Sequence, residues 1–297
     1  MKDGFKMKKK KFLTMIFSLV FIIAVVVGGY FVLQSNSHTE EPQQATINNK
    51  DKKVTKITNK KKVVPKKSNV KIVAIGDSLT EGIGDSKSVG GGYVTRLKHK
   101  VHSKYDVKTT ANNFGVSGNT SSQIIDRISF DQKIHKELPK ADIITVTVGG
   151  NDFMHLLKKK GMDITEKDIA TEQTAFDQRL GVLLADIRHY NADAPIYLVG
   201  IYNPFSIYLS NVKDAKEAFV KWGQGSQEVA RSVNNTYYVD INELYQNKYV
   251  NKKAEKTGTN PYLSKDDHFH PNATGYDMMT NKIFSKVQNT TKEWLDK

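Results

Sequence analysis

Two rhythms of apolar and polar positions run through residues 70–297. Short apolar runs predict strands at residues 70–75, 143–148 and 196–201, each near-continuous as in parallel strands covered on both faces. Two more mixed stretches, 107–112 and 237–239, complete about five strands. Between them lie longer stretches with helical periodicity, near 92–103, 121–128, 168–190, 212–234 and 272–294. In 168–190, Phe176, Leu180, Leu183, Leu184 and Ile187 recur at spacings of 4, 3, 1 and 3, which marks one helical face. Pro195 follows as a stop. Strands alternating with helices predict an α/β fold with a parallel sheet and helical crossovers.

Residues 1–69 follow neither rhythm. Residues 12–33 form a 22-residue stretch without charge, apolar on every face. At about 1.5 Å per residue it matches a hydrocarbon core of about 30 Å. Lys6 and Lys8 to Lys11 precede it, and no Lys or Arg follows until Lys50. This asymmetry predicts a single transmembrane anchor with residues 1–11 in the cytoplasm and the rest outside the cell. A cleaved signal peptide fits less well, since its apolar core is about 7–15 residues and ends in a small-x-small site. Residues 34–69 are polar, lysine-rich and without aromatics, which predicts a disordered tether to a single domain over 70–297.

Charge supports this division. The chain of 297 residues carries a net +14, but residues 1–69 hold fifteen lysines against four acids and so account for +11 of it. A basic nucleic-acid-binding domain is therefore not expected. There is no cysteine, which excludes disulfides, thiolate metal sites, a cysteine nucleophile and a lipid-modified cysteine.

Functional residues of open parallel sheets gather past the carboxyl ends of the strands. Gly76-Asp77-Ser78-Leu79 follows the first strand, and the loop Asn113 to Thr120 follows the second. Gly149-Gly150-Asn151-Asp152 follows the third, and Asp267-His268-Phe269-His270-Pro271 precedes the last helix. A serine hydroxyl needs a base to become a nucleophile, and His268 and His270 are available. Asp267 lies three residues before His270, so in a turn its carboxylate can hold Nδ1–H and leave Nε2 facing Ser78. Acyl transfer also needs oxyanion donors, which the N–H groups of Ser78 and Gly118 and the Asn151 amide can supply. Taken singly, Gly76-Asp77-Ser78 and Gly149 to Asp152 read more readily as turn chemistry, and Asp267 to Pro271 also fits a helix-entry loop. The histidines and acids also suggest a metal site, but no further ligand cluster supports one.

Together and in this order, the four clusters resemble the blocks of the SGNH (GDSL-type) hydrolase family of serine esterases and lipases. The resemblance covers residues 70–290 and implies a three-layer α/β/α, flavodoxin-like fold without a cofactor. It implies Ser78, Asp267 and His270 as the catalytic set and Ser78, Gly118 and Asn151 as the oxyanion hole. Gly115 competes with Gly118 for the second block. The substrate implied is an acyl ester, whether of a small molecule, a lipid or cell-wall polysaccharide. Tyr202, Pro204, Phe205, Ile207 and Tyr208 follow the fourth strand and are candidates for a substrate pocket. An inactive module of this fold that binds wall polymer or a partner protein is the alternative.

Overall fold

A computed structural model describes residues 66–85, 91–206 and 213–296. Five strands form one parallel sheet: β1 (Asn69–Gly76), β2 (Lys108–Gly115), β3 (Ile143–Thr147), β4 (Ile196–Val199) and β5 (Thr236–Val239). Their order is β2-β1-β3-β4-β5, the flavodoxin-like arrangement that the resemblance implied. The central strands β3 and β4 are buried throughout, which explains their unbroken apolar sequences. Edge strand β2 reads KTTANNFG and is half-exposed along its length.

The helices, in chain order, begin with α1 (Ser78–Glu81), α2 (Gly92–Tyr105), α3 (Ser121–Phe130), α4 (Gln132–Glu137) and α5 (Gly150–Lys160). They continue with α6 (Glu166–Tyr190), α7 (Lys213–Ser232), α8 (Lys248–Thr257), α9 (Ala273–Asn289) and α10 (Thr291–Trp294). Alternation along β1 sends Ile72 and Ala74 to one face, where they join Tyr93 and Leu97 of α2 and Tyr276, Met279 and Ile283 of α9. On the α6–α7 side, Phe176 stacks on Trp222 at 4.9 Å between ring centroids, and Phe153 meets the same indole edge-on at 5.2 Å. The helical face predicted in α6 is fully buried from Phe176 to Ile187. Each such side chain contributes about 1.5–3 kcal/mol on burial.

Register is the feature that builds a site. Gly76 of β1 pairs with Gly115 of β2 and Thr147 of β3, Thr147 with Val199 of β4, and Val199 with Val239 of β5. All five strands thus end on one transverse row. The segments after β1, β2, β3 and β4 leave the sheet along a single rim.

Three boundaries differ from the sequence reading. The last helix divides at Thr290, whose Oγ1 donates back to the Lys286 carbonyl at 3.0 Å, and α10 then turns Trp294 into the core. Fold contacts begin before residue 70: Lys66 bridges Asp296, the Lys67 N–H donates to the Leu295 carbonyl at 2.8 Å, and Lys67 Nζ pairs with Asp142 at 2.6 Å. Gly149 to Asp152 does not stay a turn; it opens α5. The expected cytoplasmic segment 1–11, anchor 12–33 and most of the tether 34–69 lie outside the described residues. Among the described residues no helix is long and apolar enough to cross a membrane.

Candidate active site

Ser78 is the first residue of α1, separated from the end of β1 only by Asp77. Its neighbour Asp77 caps that helical turn. Asp77 Oδ1 accepts from the Leu79 N–H at 3.0 Å and from the Thr147 hydroxyl at 2.7 Å. Burial pushes the Asp77 carboxyl above its usual range, although these two donors work against the shift. Thr147 also bonds Thr80 Oγ1 at 2.8 Å, so a buried set of hydroxyls ties the Ser78 turn to the end of β3.

The histidine arrives on a closed loop. The Ser264 N–H donates to the His270 carbonyl at 2.7 Å, and the His268 N–H to the Ser264 carbonyl at 2.9 Å. Inside this loop, Asp267 Oδ1 accepts the backbone N–H groups of Phe269 at 2.8 Å and His270 at 3.0 Å. Its Oδ2 lies 2.6 Å from His270 Nδ1. Burial alone would raise the Asp267 carboxyl, but the imidazole and the two amides outweigh it and hold it below the ordinary carboxylate range. On the other side of the ring, His270 Nε2 lies 2.9 Å from Ser78 Oγ. Ser78 and His270 are 6% and 7% exposed, so the contact between them is largely shielded from bulk water. Of the two candidate histidines, His270 is therefore the one joined to Ser78.

In the second loop the two candidate glycines differ in hydrogen bonding. Gly115 lies in β2 beneath α1, where a Cβ would come within 2.1 Å of the Glu81 nitrogen, and its N–H is taken by Asn113 Oδ1 at 2.8 Å. Gly118 has a left-handed backbone (φ 83°), open space around it, and an N–H with no partner among the described residues. Asn151, in the first turn of α5, donates one amide hydrogen to the Asn119 carbonyl at 2.9 Å and lines the same cavity as Ser78. Asp152, read from sequence only as turn chemistry, clamps this corner. It accepts from the Ser121 N–H at 3.0 Å, the Ser121 hydroxyl at 2.5 Å and Arg179 Nη2 at 3.2 Å. The starts of α3 and α5 are thereby fixed together.

The cavity over Ser78 is small, about 40 Å³, and mostly apolar-walled by Leu79, Val148, Val199, Ile201, Tyr202 and Phe269. Tyr202, a pocket candidate from sequence, lines it and also donates its hydroxyl to the Phe269 carbonyl at 2.5 Å, which braces the histidine loop. Phe205 does not line this cavity; it is buried behind Phe269, with ring centroids 6.4 Å apart. Tyr208 and Ile207 lie outside the described residues. Val199, Gly200 and Ile201 were missed as lining residues because their sequence reads simply as strand, and only the common strand-end row places them at the cavity.

A flavodoxin-like sheet thus carries a hydrogen-bonded chain of Asp267, His270 and Ser78 at its carboxyl rim. Residues 74–278 match the GDSL-like Lipase/Acylhydrolase family. The chain belongs to that family and is an esterase or lipase, a hydrolase of ester bonds. It is 30% identical over 232 residues to the uncharacterized protein YpmR of Bacillus subtilis (78% of this chain, 85% of that one). It is 27% identical over 219 residues to the spore germination lipase LipC of Bacillus licheniformis (72% and 94%). In structure it is similar to the lipase Lip_vut3 from a goat rumen metagenome, with a TM-score of 0.62, 24% identity, and 73% and 96% of the two chains covered. It also shares its fold with the acetylxylan esterase Axe2 from Geobacillus stearothermophilus, with a TM-score of 0.54, 18% identity, and 74% and 95% covered.

Proposed function

We propose that this protein is a serine esterase that forms an acyl-enzyme on Ser78 and works at the outer face of a membrane to which residues 12–33 anchor it. The observation that carries the chemistry is the continuous chain from Asp267 Oδ2 through His270 to Ser78 Oγ, with contacts of 2.6 and 2.9 Å. His270 Nε2 takes the hydroxyl proton as Ser78 Oγ attacks the ester carbonyl carbon. The carbonyl oxygen gathers negative charge and is met by the N–H groups of Ser78 and Gly118 and the free amide hydrogen of Asn151. His270 then gives its proton to the leaving alcohol oxygen as the carbon–oxygen bond breaks. Water, deprotonated by the same nitrogen, attacks the acyl-enzyme and releases the acid. Asp267 stays ionised throughout and holds the imidazole in the tautomer whose Nε2 is the acceptor.

The location rests on sequence: the uncharged 22-residue stretch, the lysines before it and the polar tether after it. The Ser78→Ala variant should lose p-nitrophenyl acetate turnover by more than about 10³-fold while keeping its melting temperature. Turnover within tenfold of the wild type would overturn the assignment.

A further inference from the structure

Ile201, in the wall of the Ser78 cavity, also borders a second and larger groove. This groove lies past the carboxyl ends of β4 and β5 and has a volume of about 710 Å³, within the range of about 300–1,000 Å³ usual for small-molecule sites. The two spaces adjoin at Gly200, with the Tyr238 ring as the wall between them. A Cβ there would lie 2.1 Å from the Tyr238 hydroxyl, so the missing side chain lets a groove residue press against a strand end that lines the Ser78 cavity.

Polar side chains outnumber apolar ones around the groove, while Ile201, Phe219 and Val220 give it an apolar wall of at least equal extent. Gln224 and Gln227 face it from α7, and Gln246 and Asn251 from the far side. Asn242 and Asn247, also in the lining, are spent on backbone groups: Asn242 Oδ1 accepts the Asn203 N–H at 3.1 Å, and Asn247 caps α8. By contrast, the side chains of Gln224, Gln227, Gln246 and Asn251 make no hydrogen bond among the described residues. Each free amide offers donors and an acceptor together. A hydroxyl-rich ligand can satisfy both, whereas a buried acyl chain would strip them of water and return nothing. Asp240 and Glu243 place two carboxylates in the lining, against Lys248. That balance repels a phosphate or carboxylate ligand.

We propose that this groove is the subsite for the alcohol part of the substrate, and that this part is a neutral sugar. The bond cut at Ser78 is then an O-acyl ester on a glycan: the acyl group passes to Ser78 Oγ, and His270 returns the proton to the departing sugar oxygen. This proposal rests on the esterase reading of Ser78.

The test compares kcat/KM for partially O-acetylated neutral trisaccharides, acetylated glycerol phosphate, tributyrin and p-nitrophenyl acetate. Wild-type protein and the double variant Gln224→Ala/Gln227→Ala are measured side by side, with melting temperatures to check the fold. The wild type should prefer at least one saccharide ester over the glycerol phosphate ester and tributyrin by tenfold or more. The double variant should lower the ratio of saccharide to p-nitrophenyl acetate kcat/KM by tenfold or more, chiefly through KM. Preference for the anionic or lipid ester, or an unchanged ratio in the variant, would overturn the sugar subsite while leaving the esterase intact. Absence of p-nitrophenyl acetate turnover by the wild type would overturn the esterase reading, and the subsite with it.

Discussion

The Asp267→Asn variant separates charge and tautomer from mere shape. Asp267 Oδ1 faces two backbone donors, the N–H groups of Phe269 and His270. In the variant, the amide oxygen must stay there, because turning the amide would set its NH₂ against both donors. The NH₂ group then occupies the place of Oδ2, 2.6 Å from His270 Nδ1. An NH₂ group can only donate, so Nδ1 becomes an acceptor and the ring proton moves to Nε2. Nε2 is the atom beside Ser78 Oγ, and in that tautomer it cannot take the hydroxyl proton.

A wrong tautomer of this kind costs about 10⁴ in kcat for serine hydrolases, or about 5.4 kcal/mol of barrier. The two backbone bonds survive, so folding should be nearly unaffected. Initial rates on p-nitrophenyl acetate, with a thermal melt as control, measure both quantities. A loss below tenfold with the fold intact would contradict a role of Asp267 in setting the imidazole tautomer. It would mean that Asp267 acts only as a brace of its loop and not through the imidazole.

Other outcomes follow from the same geometry. Asn151→Ala removes one oxyanion donor and should lower kcat by about 10²–10³ with little change in KM, read from Michaelis–Menten curves on an acetyl ester. A water occupies roughly 10–15 Å³ on the same measure, so the cavity of about 40 Å³ holds about three heavy atoms. Hydrolysis of p-nitrophenyl esters should therefore fall from acetyl to butyryl to octanoyl, and a rise with chain length would contradict this pocket as the acyl site. Asp177 has its pKa pushed up to about 6 by burial and then by the nearby Glu228, and its Oδ1 is buried without a partner among the described residues. A folded carboxyl that holds its proton more tightly than the unfolded chain is most favourable at low pH. Stability is lost as pH rises from the ordinary value of 3.8 through about 6. The group is only half-buried, so solvent screening reduces the effect to about 1 kcal/mol. Asp177→Asn should then raise the melting temperature at pH 7.5 by about 2–4 °C, with the gain vanishing near pH 4 in a pH series of thermal melts.

How much was legible in the sequence depended on whether neighbours along the chain or neighbours in space decided the outcome. The strands were readable because Ile72 to Ile75, and Ile143 to Val146 apart from the buried Thr145, are apolar on both faces, as parallel packing requires. The Asp267–His270 pair was readable because the two residues share one short loop. The helix α8 was not, since its sequence KYVNKKAEKT buries only Val250 and Ala254, too few apolar positions to mark a face among so many lysines. The N-terminal turn of α5 was hidden because Gly149-Gly150-Asn151-Asp152 has turn composition; what makes it helical is Asp152 bonding to Ser121 and Arg179 from distant elements. The walls of the cavity were hidden for the same reason. Val199, Gly200 and Ile201 gain their place only when the sheet register aligns the end of β4 with that of β1. Gly118 was favoured over Gly115 from motif spacing; the packing of Thr80 and Glu81 over Gly115, which distinguishes the two, exists only in three dimensions.

Everything in the proposed chemistry depends on Ser78 being activated by His270 and becoming acylated. Treating the protein with a fluorophosphonate and locating the adduct by peptide mass spectrometry tests it most directly. One adduct is expected, on Ser78, formed together with loss of esterase activity, and labelling should be at least a hundredfold slower in His270→Ala. An unlabelled Ser78, or equal labelling in the His270 variant, would contradict it.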